Sequence, residues 1–327
     1  MQNVVRAVAD RFPGYAVHVL AFHYPYRRGS YRLGRLHVHA LGGRNRKHVH
    51  RLVTWWRAWR TFNTLRRTTQ VRAVHSFWLG ECALLGQWLH RRYGLPHVAS
   101  VGGQEVSGPN PYLRYLDLDT LTVTAGSAFA GRALHKAAGR SPDAIIPLGL
   151  DVDALAQIER PAIRDIDVLG VGSLSPVKRF DVFLDVLAGL AVSHPHLRAC
   201  LIGDGPERPA LEAVIQAKGL AHCVTLLGAL PRQEVFRYML RSRFLLHTAA
   251  YESQAYVFLE ALYAGLRIVR FDVGYTGETD RVQTCASPEE MTAALRLLWE
   301  APPPPGPAVP IRAEESAEAF ARLYGLG

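Results

Sequence analysis

Short apolar runs alternate with amphipathic stretches along most of the chain, which is the pattern of strands and helices in a parallel α/β protein. Residues 4–12 read as a helix and 15–22 (YAVHVLAF) as a mostly apolar strand. Further strands are expected at 35–40, 71–75, 97–101 and 120–124, with helices at 81–93 and 127–138. In the second half, strands at 167–172, 199–202, 224–226 and 244–247 alternate with helices at 181–193, 208–218 and 232–240. That run of β–α units predicts a doubly wound sheet. Prolines at 302–305 break the pattern before a helical tail at 314–324.

The most informative stretch is 249–278, AAYESQAYVFLEALYAGLRIVRFDVGYTGE. Val257, Phe258, Ala261, Leu262 and Ala264 fall near helical spacing, Gly265 stands at the stop, and 267–271 reads as a strand. A helix starting near Tyr256 turns its unpaired amides and positive end toward an anion. Because Cβ atoms tilt toward a helix N-terminus, Glu260 leans toward the opening that Glu252 lines. Two carboxylates beside an anion site suit a nucleotide sugar, with a diphosphate in the middle and hydroxyls on either side. Taken alone, the pair reads equally well as two solvent-facing charges.

Composition narrows the class. The 327 residues are 49% hydrophobic and 20% charged, globular values that allow two domains. No apolar run approaches the ~20 residues of a membrane-spanning helix. Cys82, Cys200, Cys223 and Cys285 lack metal-ligand or redox spacing, so reduced thiols in a cytoplasmic protein are expected. Charge is uneven: residues 1–160 carry 22 Lys/Arg against 9 Asp/Glu, the remainder 16 against 19. A basic first half suits an anionic surface, such as the inner face of a plasma membrane. Within residues 46–70, Leu52, Trp55, Trp56, Trp59 and Phe62 share one helical face, with Thr54, Arg57, Thr61 and Thr64 opposite. Either that face packs on a sheet or its Trp and Arg side chains lie among lipid headgroups. No nucleic-acid-binding motif accompanies the charge.

Several turns resemble those of retaining GT-B glycosyltransferases of family 4 (glycosyl transferases group 1). Glu252, Glu260, Ala261 and Gly265 match its E-x7-E region, with Ser253-Gln254-Ala255-Tyr256 replacing the usual turn. Lys178 aligns with the family's lysine, whereas Ser173 stands where an Arg is usual and Arg179 where a Gly is. Gly203-Asp204-Gly205-Pro206 matches a Gly-x-Gly-Pro turn, and Gly149-Leu150-Asp151 stands at the place of Gly-Val-Asp. Gly102-Gly103 occupies the position of a usual His-Gly. Neither Gly170-x-Gly172 nor Gly203-x-Gly205 completes a dinucleotide fingerprint. Asp117-Leu118-Asp119 mimics a metal-binding D-x-D, but nothing around it supports that chemistry and no metal is assigned.

The resemblance implies two Rossmann-like domains facing across a cleft. The acceptor-binding domain would span 1–155 with a helix from about 312–327 crossing back, and the donor-binding domain 165–305, joined by a linker at 152–164. The family opens with a strand and Gly-rich turn that are not found ahead of Met1, so the N-terminal sheet is expected to lack its first strand. The implied activity is metal-independent and cofactor-free. It transfers a hexose-type sugar from a UDP- or GDP-sugar to a hydroxyl of a glycan or lipid-linked acceptor, with retention, in cell-envelope polysaccharide or glycolipid synthesis. Glu252 and Lys178 would be catalytic. Ser173, Arg179, Gly203, Asp204, Gly205, Tyr256, Val257 and Glu260 would bind the donor. His23, His75, Gly102, Gly103, Gln104 and Glu105 are candidates for the acceptor cleft. The alternatives are a sugar-nucleotide epimerase of the same fold and a catalytically weak nucleotide-sugar or membrane-binding protein.

Overall fold

A computed structural model describes residues 1–45, 49–275, 277, 279–304, 306–309 and 311–326. The chain divides into two units, Met1–Gly149 with Ala313–Gly327, and Leu150–Arg312.

In the first unit, α1 (Gln2–Arg11) turns Val4, Val8 and Ala9 inward. The strands β1 (Val17–Ala21), β2 (Gly29–Leu33) and β3 (Leu36–Ala40) form a sheet in the order β1-β3-β2, with β1 parallel and β2 antiparallel to β3. The sequence reading missed β2, because GSYRL is almost wholly exposed and carries no apolar alternation. Its identity as a strand comes from pairing with β3.

The basic helix α2 (Val49–Thr68) departs from expectation. It buries Thr54, Ala58 and Phe62, while Leu52, Val53, Trp56 and Trp59 face outward. The expected aromatic face is therefore split, with Phe62 inside, Trp55 half-buried and the remainder exposed. Close approach explains the choice: a Cβ at Gly43 would lie 2.9 Å from Thr54 Oγ1, so only small side chains admit the helix there. Residues 46–48 of the expected helix lie outside the described residues.

The rest of this unit is a parallel β–α succession. β4 (Val74–Phe77), α3 (Glu81–Tyr93), β5 (His97–Val101), α4 (Gln104–Ser107), β6 (Thr122–Ala125), α5 (Ala128–Ala138) and β7 (Ala144–Ile145) give a second sheet, β4-β5-β6-β7. Among the described residues this unit therefore holds two separate sheets, with β1 at an edge of one and β4 at an edge of the other.

The second unit opens with α6 (Val152–Ala156), inside the segment expected to be a linker; Asp151 caps it by accepting from Ala154 N at 3.3 Å. The succession continues through β8 (Ile166–Val171), α7 (Phe180–Ala191), β9 (Ala199–Ile202), α8 (Arg208–Ala217), β10 (Val224–Gly228), α9 (Arg232–Leu240), β11 (Ser242–His247), α10 (Tyr256–Ala264), β12 (Arg267–Arg270), β13 (Val282–Thr284) and α11 (Pro288–Trp299). The parallel sheet runs β10-β9-β8-β11-β12-β13. Counted from β8 this is 3-2-1-4-5-6, so the winding reverses between β8 and β11, and a crevice opens at their C-terminal ends. Central strands of such sheets are covered on both faces. Accordingly Val168, Leu169, Phe183, Leu187, Phe244, Met291 and Leu295 are buried, and full burial of one such side chain contributes about 1.5–3 kcal/mol.

The tail forms α12 (Ala313–Leu323), which belongs to the first unit. Phe320 packs with Val4 and Ile146, Arg11 pairs with Glu318 at 3.2 Å, and Ser316 Oγ bridges Gly149 N and Pro147 O at 2.9 and 2.7 Å.

Candidate active site

The crevice between β8 and β11 is built from two turns and one loop. After β8 the chain passes through a 3-10 turn at Pro176–Lys178 and reaches α7 with Arg179 in a left-handed conformation (φ 50°). The turn after β9 lies directly against it. A Cβ on Gly203 would sit 1.7 Å from Gly172 O, so only glycine allows this approach. Leu174 N donates to Asp204 O at 3.0 Å and Glu207 N to Leu174 O at 3.1 Å, completing the seam. Gly203 and Gly205 thus shape the backbone, while the exposed Asp204 carboxylate accepts from Gly205 N at 2.8 Å. Ser173 is exposed, with its hydroxyl 3.1 Å from Ser175 Oγ.

The loop after β11 is pinned to the first turn. Thr248 Oγ1 donates to the carbonyls of Lys178 and Arg179 at 3.0 and 2.9 Å, and Ala250 N donates to Val177 O at 2.9 Å. This brings Lys178 Nζ into a hydrogen-bonded ion pair with Glu252 Oε1. His247 Nε2, buried beneath, lies 3.4 Å from the same oxygen. Burial would raise the Glu252 carboxyl, but His247 and the Lys178 ammonium outweigh it and hold the group below its ordinary range. Burial keeps His247 neutral by lowering its own value, with Glu252 opposing the shift. Glu252 is therefore a carboxylate and Lys178 its counter-ion.

Glu260 has a different partner. It is buried on α10 and accepts from Arg232 Nε, at the start of α9, at 2.7 Å. Burial pushes its carboxyl above the usual range, and Arg232 opposes the shift only in part. Arg232 also covers the ring of Tyr256, 5.3 Å from its centroid, at the N-terminus of α10 beside the half-buried Val257. Sequence reasoning missed Arg232. Its available signal was position: it opens a helix after Pro231, at the same sheet end as the two expected turns. Arg179 is placed on the Phe271 ring at 5.3 Å. The loop at 252–254 is backed by Gly274 N donating to Glu252 O at 3.1 Å and Tyr275 N to Gln254 O at 2.8 Å. Thr276 and Glu278, which end the stretch singled out in the sequence, lie outside the described residues.

In the first unit, the strand ends gather a different set. Glu81 is buried and accepts from Trp55 Nε1 at 2.9 Å and Tyr112 OH at 3.1 Å, and it pairs with Arg51 at 2.7 Å. His23 Nε2 stands 3.9 Å from the same carboxylate, and its Nδ1 accepts from Asn45 N at 3.3 Å. Sequence reasoning named His23 but not Glu81, Arg51 or Tyr112. Glu105 Oε1 accepts from Gly102 N at 2.6 Å and Leu79 N at 3.2 Å, tying the ends of β4 and β5 together. A Cβ at Gly102 would fall 1.9 Å from the indole of Trp78, which is itself half-exposed at φ 75°. Trp78 thus fills the space that a side chain at 102 would take. Gly103, at φ 124°, leads into the short α4, which begins at Gln104.

His75 is not open to a cleft. Its Nδ1 is 2.5 Å from Tyr324 OH on the C-terminal tail and its Nε2 2.7 Å from Ser100 Oγ, and burial with the nearby His97 lowers it to about 3. It is a core histidine whose two nitrogens are occupied. Asp117 and Asp119 point to separate arginines, Arg91 at 2.8 Å and Arg140 at 3.1 Å.

The fold agrees with what known proteins show. Residues 153–281 match the family model described as Glycosyl transferases group 1. The matched segment covers the turns of Lys178 and Gly203, Arg232, and both Glu252 and Glu260. The gpi3 subunit of phosphatidylinositol N-acetylglucosaminyltransferase from Schizosaccharomyces pombe is 27% identical over 149 residues, 45% of this chain and 33% of that protein. Alpha-monoglucosyldiacylglycerol synthase of Acholeplasma laidlawii is 36% identical over 81 residues, 24% of this chain and 20% of that protein. The chain thus spans a third or less of the length of these two relatives. Sucrose-phosphate synthase from Thermosynechococcus elongatus superposes with a TM-score of 0.70 at 16% identity, over 99% of this chain and 87% of that one. The fold is that of the GT-B glycosyltransferases.

Proposed function

We propose that the chain is a retaining, metal-independent glycosyltransferase of the family 4 type that uses a UDP- or GDP-sugar. The observation carrying this reading is the Lys178–Glu252 ion pair, seated where the winding of the second sheet reverses, with Arg232–Glu260 as a second pair on the α9 and α10 side. In the bound complex Lys178 turns its ammonium to the donor diphosphate, as a compact point charge suits phosphate. Glu252, kept ionised, accepts from hydroxyls of the transferred sugar, and Glu260 from the ribose. Amides at the start of α10, near Tyr256 and Val257, face the phosphate that gathers negative charge. The acceptor oxygen bonds to the anomeric carbon on the face from which the phosphate oxygen departs, and the acceptor proton passes to that oxygen. Ser173 and Arg179 flank the same turn as supplementary donors to phosphate.

The acceptor is proposed to be a glycan or lipid-linked glycan at an anionic membrane surface. Two of the relatives bear names built on phosphatidylinositol and diacylglycerol, and α2 presents Leu52, Val53, Trp56 and Trp59 outward among arginines. Calorimetric titration with UDP, GDP and their sugar conjugates tests the donor site. Lys178→Ala is expected to weaken binding of the preferred nucleotide by about tenfold or more, the usual cost of losing a charged hydrogen bond. Affinity unchanged in both Lys178→Ala and Glu252→Gln would remove the assignment.

A further inference from the structure

The first unit holds a basic cavity that the donor chemistry does not use. It encloses about 260 Å³ between the loop carrying Tyr26 and Arg28, the turn carrying Gly42, Gly43 and Arg44, and the face of α2 carrying His50, Thr54 and Arg57. Among the described residues its lining includes three arginines and a histidine, and no carboxylate. Two of the arginines are held by the backbone: Arg44 Nε donates to Tyr26 O at 2.8 Å and Arg57 Nη1 to Leu41 O at 2.9 Å. Each guanidinium has donors beyond the one so used, since arginine carries five. Glu81, at the start of α3, is occupied by Arg51, Trp55 and Tyr112 and contributes nothing to the lining.

Like charges lining a concavity repel one another, and an anion from outside the fold would relieve that repulsion. Guanidinium forks carried by separate segments of the lining suit the tetrahedral oxygens of a phosphate better than a single planar carboxylate. The wall is also rigid. Leu41 N, Gly43 N and Arg44 N donate to the carbonyls of Ala21, Phe22 and His23 at 2.9, 2.8 and 3.3 Å, so the turn is fastened to the end of β1. We propose that this cavity is a phosphate subsite in the first unit, taking a phosphate monoester or diester carried by the acceptor. As an acceptor subsite it rests on the glycosyltransferase reading; as a phosphate site it stands on its own lining.

The test is calorimetric titration of the full chain with inorganic phosphate and glycerol 3-phosphate, followed by sedimentation with phosphatidylglycerol vesicles and with phosphatidylcholine vesicles. Arg28→Glu and Arg57→Gln are each expected to weaken phosphate binding about tenfold, with UDP or GDP affinity unchanged. Soluble phosphoesters that bind and displace the protein from phosphatidylglycerol identify a lipid headgroup as the source. Soluble binding with no preference between the two vesicles identifies a phosphorylated glycan. Phosphate affinity unaltered in both folded variants overturns the subsite and leaves the donor assignment standing. Phosphate binding that persists where no nucleotide binds overturns the donor reading instead.

Discussion

Glu252 and Glu260 are the residues that the sequence made visible, and their two environments differ in a way that only partners explain. Glu252 has Lys178 and His247 beside it and stays ionised below the ordinary carboxylate range. Glu260 is buried more completely than its single cation compensates, so its carboxyl titrates above that range. Removing Arg232 should therefore raise Glu260 further, because burial is then unopposed. Nucleotide binding by Arg232→Ala is expected to fall away at a higher pH than in the native chain as Glu260 takes up a proton. Arg232→Lys, which keeps the charge, should restore much of the native profile. The measurement is affinity as a function of pH; identical profiles for the native and Ala chains would mean that Arg232 does not govern Glu260. The cations themselves were unequally legible. Lys178 follows a recognisable turn, but Arg232 sits 28 residues before Glu260 and meets it only because α9 and α10 pack together.

At the scale of elements, α2 shows why amphipathic spacing alone was ambiguous. The expected aromatic face and the Thr-rich face opposite it are both split, and Thr54, Ala58 and Phe62 face inward because the small side chains fit the Gly43 turn. The larger Trp56 and Trp59 are left outside, 51% and 37% exposed, with Arg60 5.4 Å from the Trp56 ring. Such a face suits a headgroup layer. Replacing both with serine should weaken sedimentation with anionic vesicles by about tenfold, since each indole would otherwise bury apolar area. Thermal stability should barely move, as exposed substitutions usually change it by no more than about 0.5 kcal/mol each. Vesicle binding equal to that of the native chain would assign these tryptophans another role. Elements were otherwise read correctly where apolar periodicity was strong. They were missed at the short elements β2, α6 and β13; β2 is defined by a partner across a short turn rather than by its own pattern.

At the scale of the whole molecule, the first unit stores two histidines in neutral form. His75 is lowered to about 3 and His97 to about 4, in each case chiefly by burial. Unfolding returns both to their ordinary 6.5, so the unfolded chain binds more protons at mildly acidic pH. Their contribution is complete above pH 6.5 and is lost as pH falls, until the folded groups themselves titrate near 4 and 3. Urea unfolding should thus show stability declining from pH 6.5 toward 4 by about 1.4 kcal/mol per pH unit for each histidine. A His75→Gln chain should show the shallower slope of one group; a slope equal to the native one would mean that burial of His75 is not its source. The C-terminal tail that encloses His75 reaches it from 249 residues away, a contact no local pattern announces. By itself the sequence determined the β–α order of the second unit, the helix from Tyr256 to its glycine stop, and the placement of Glu252 in a loop and Glu260 on that helix. These follow from periodicity, capping and short motifs, all of which act within a few residues. The partner of each charge, the inward face of α2, the enclosure of His75 and the basic cavity were decided by tertiary structure. Each depends on which side chains fit against a neighbour distant in the chain, and packing rather than propensity makes that choice.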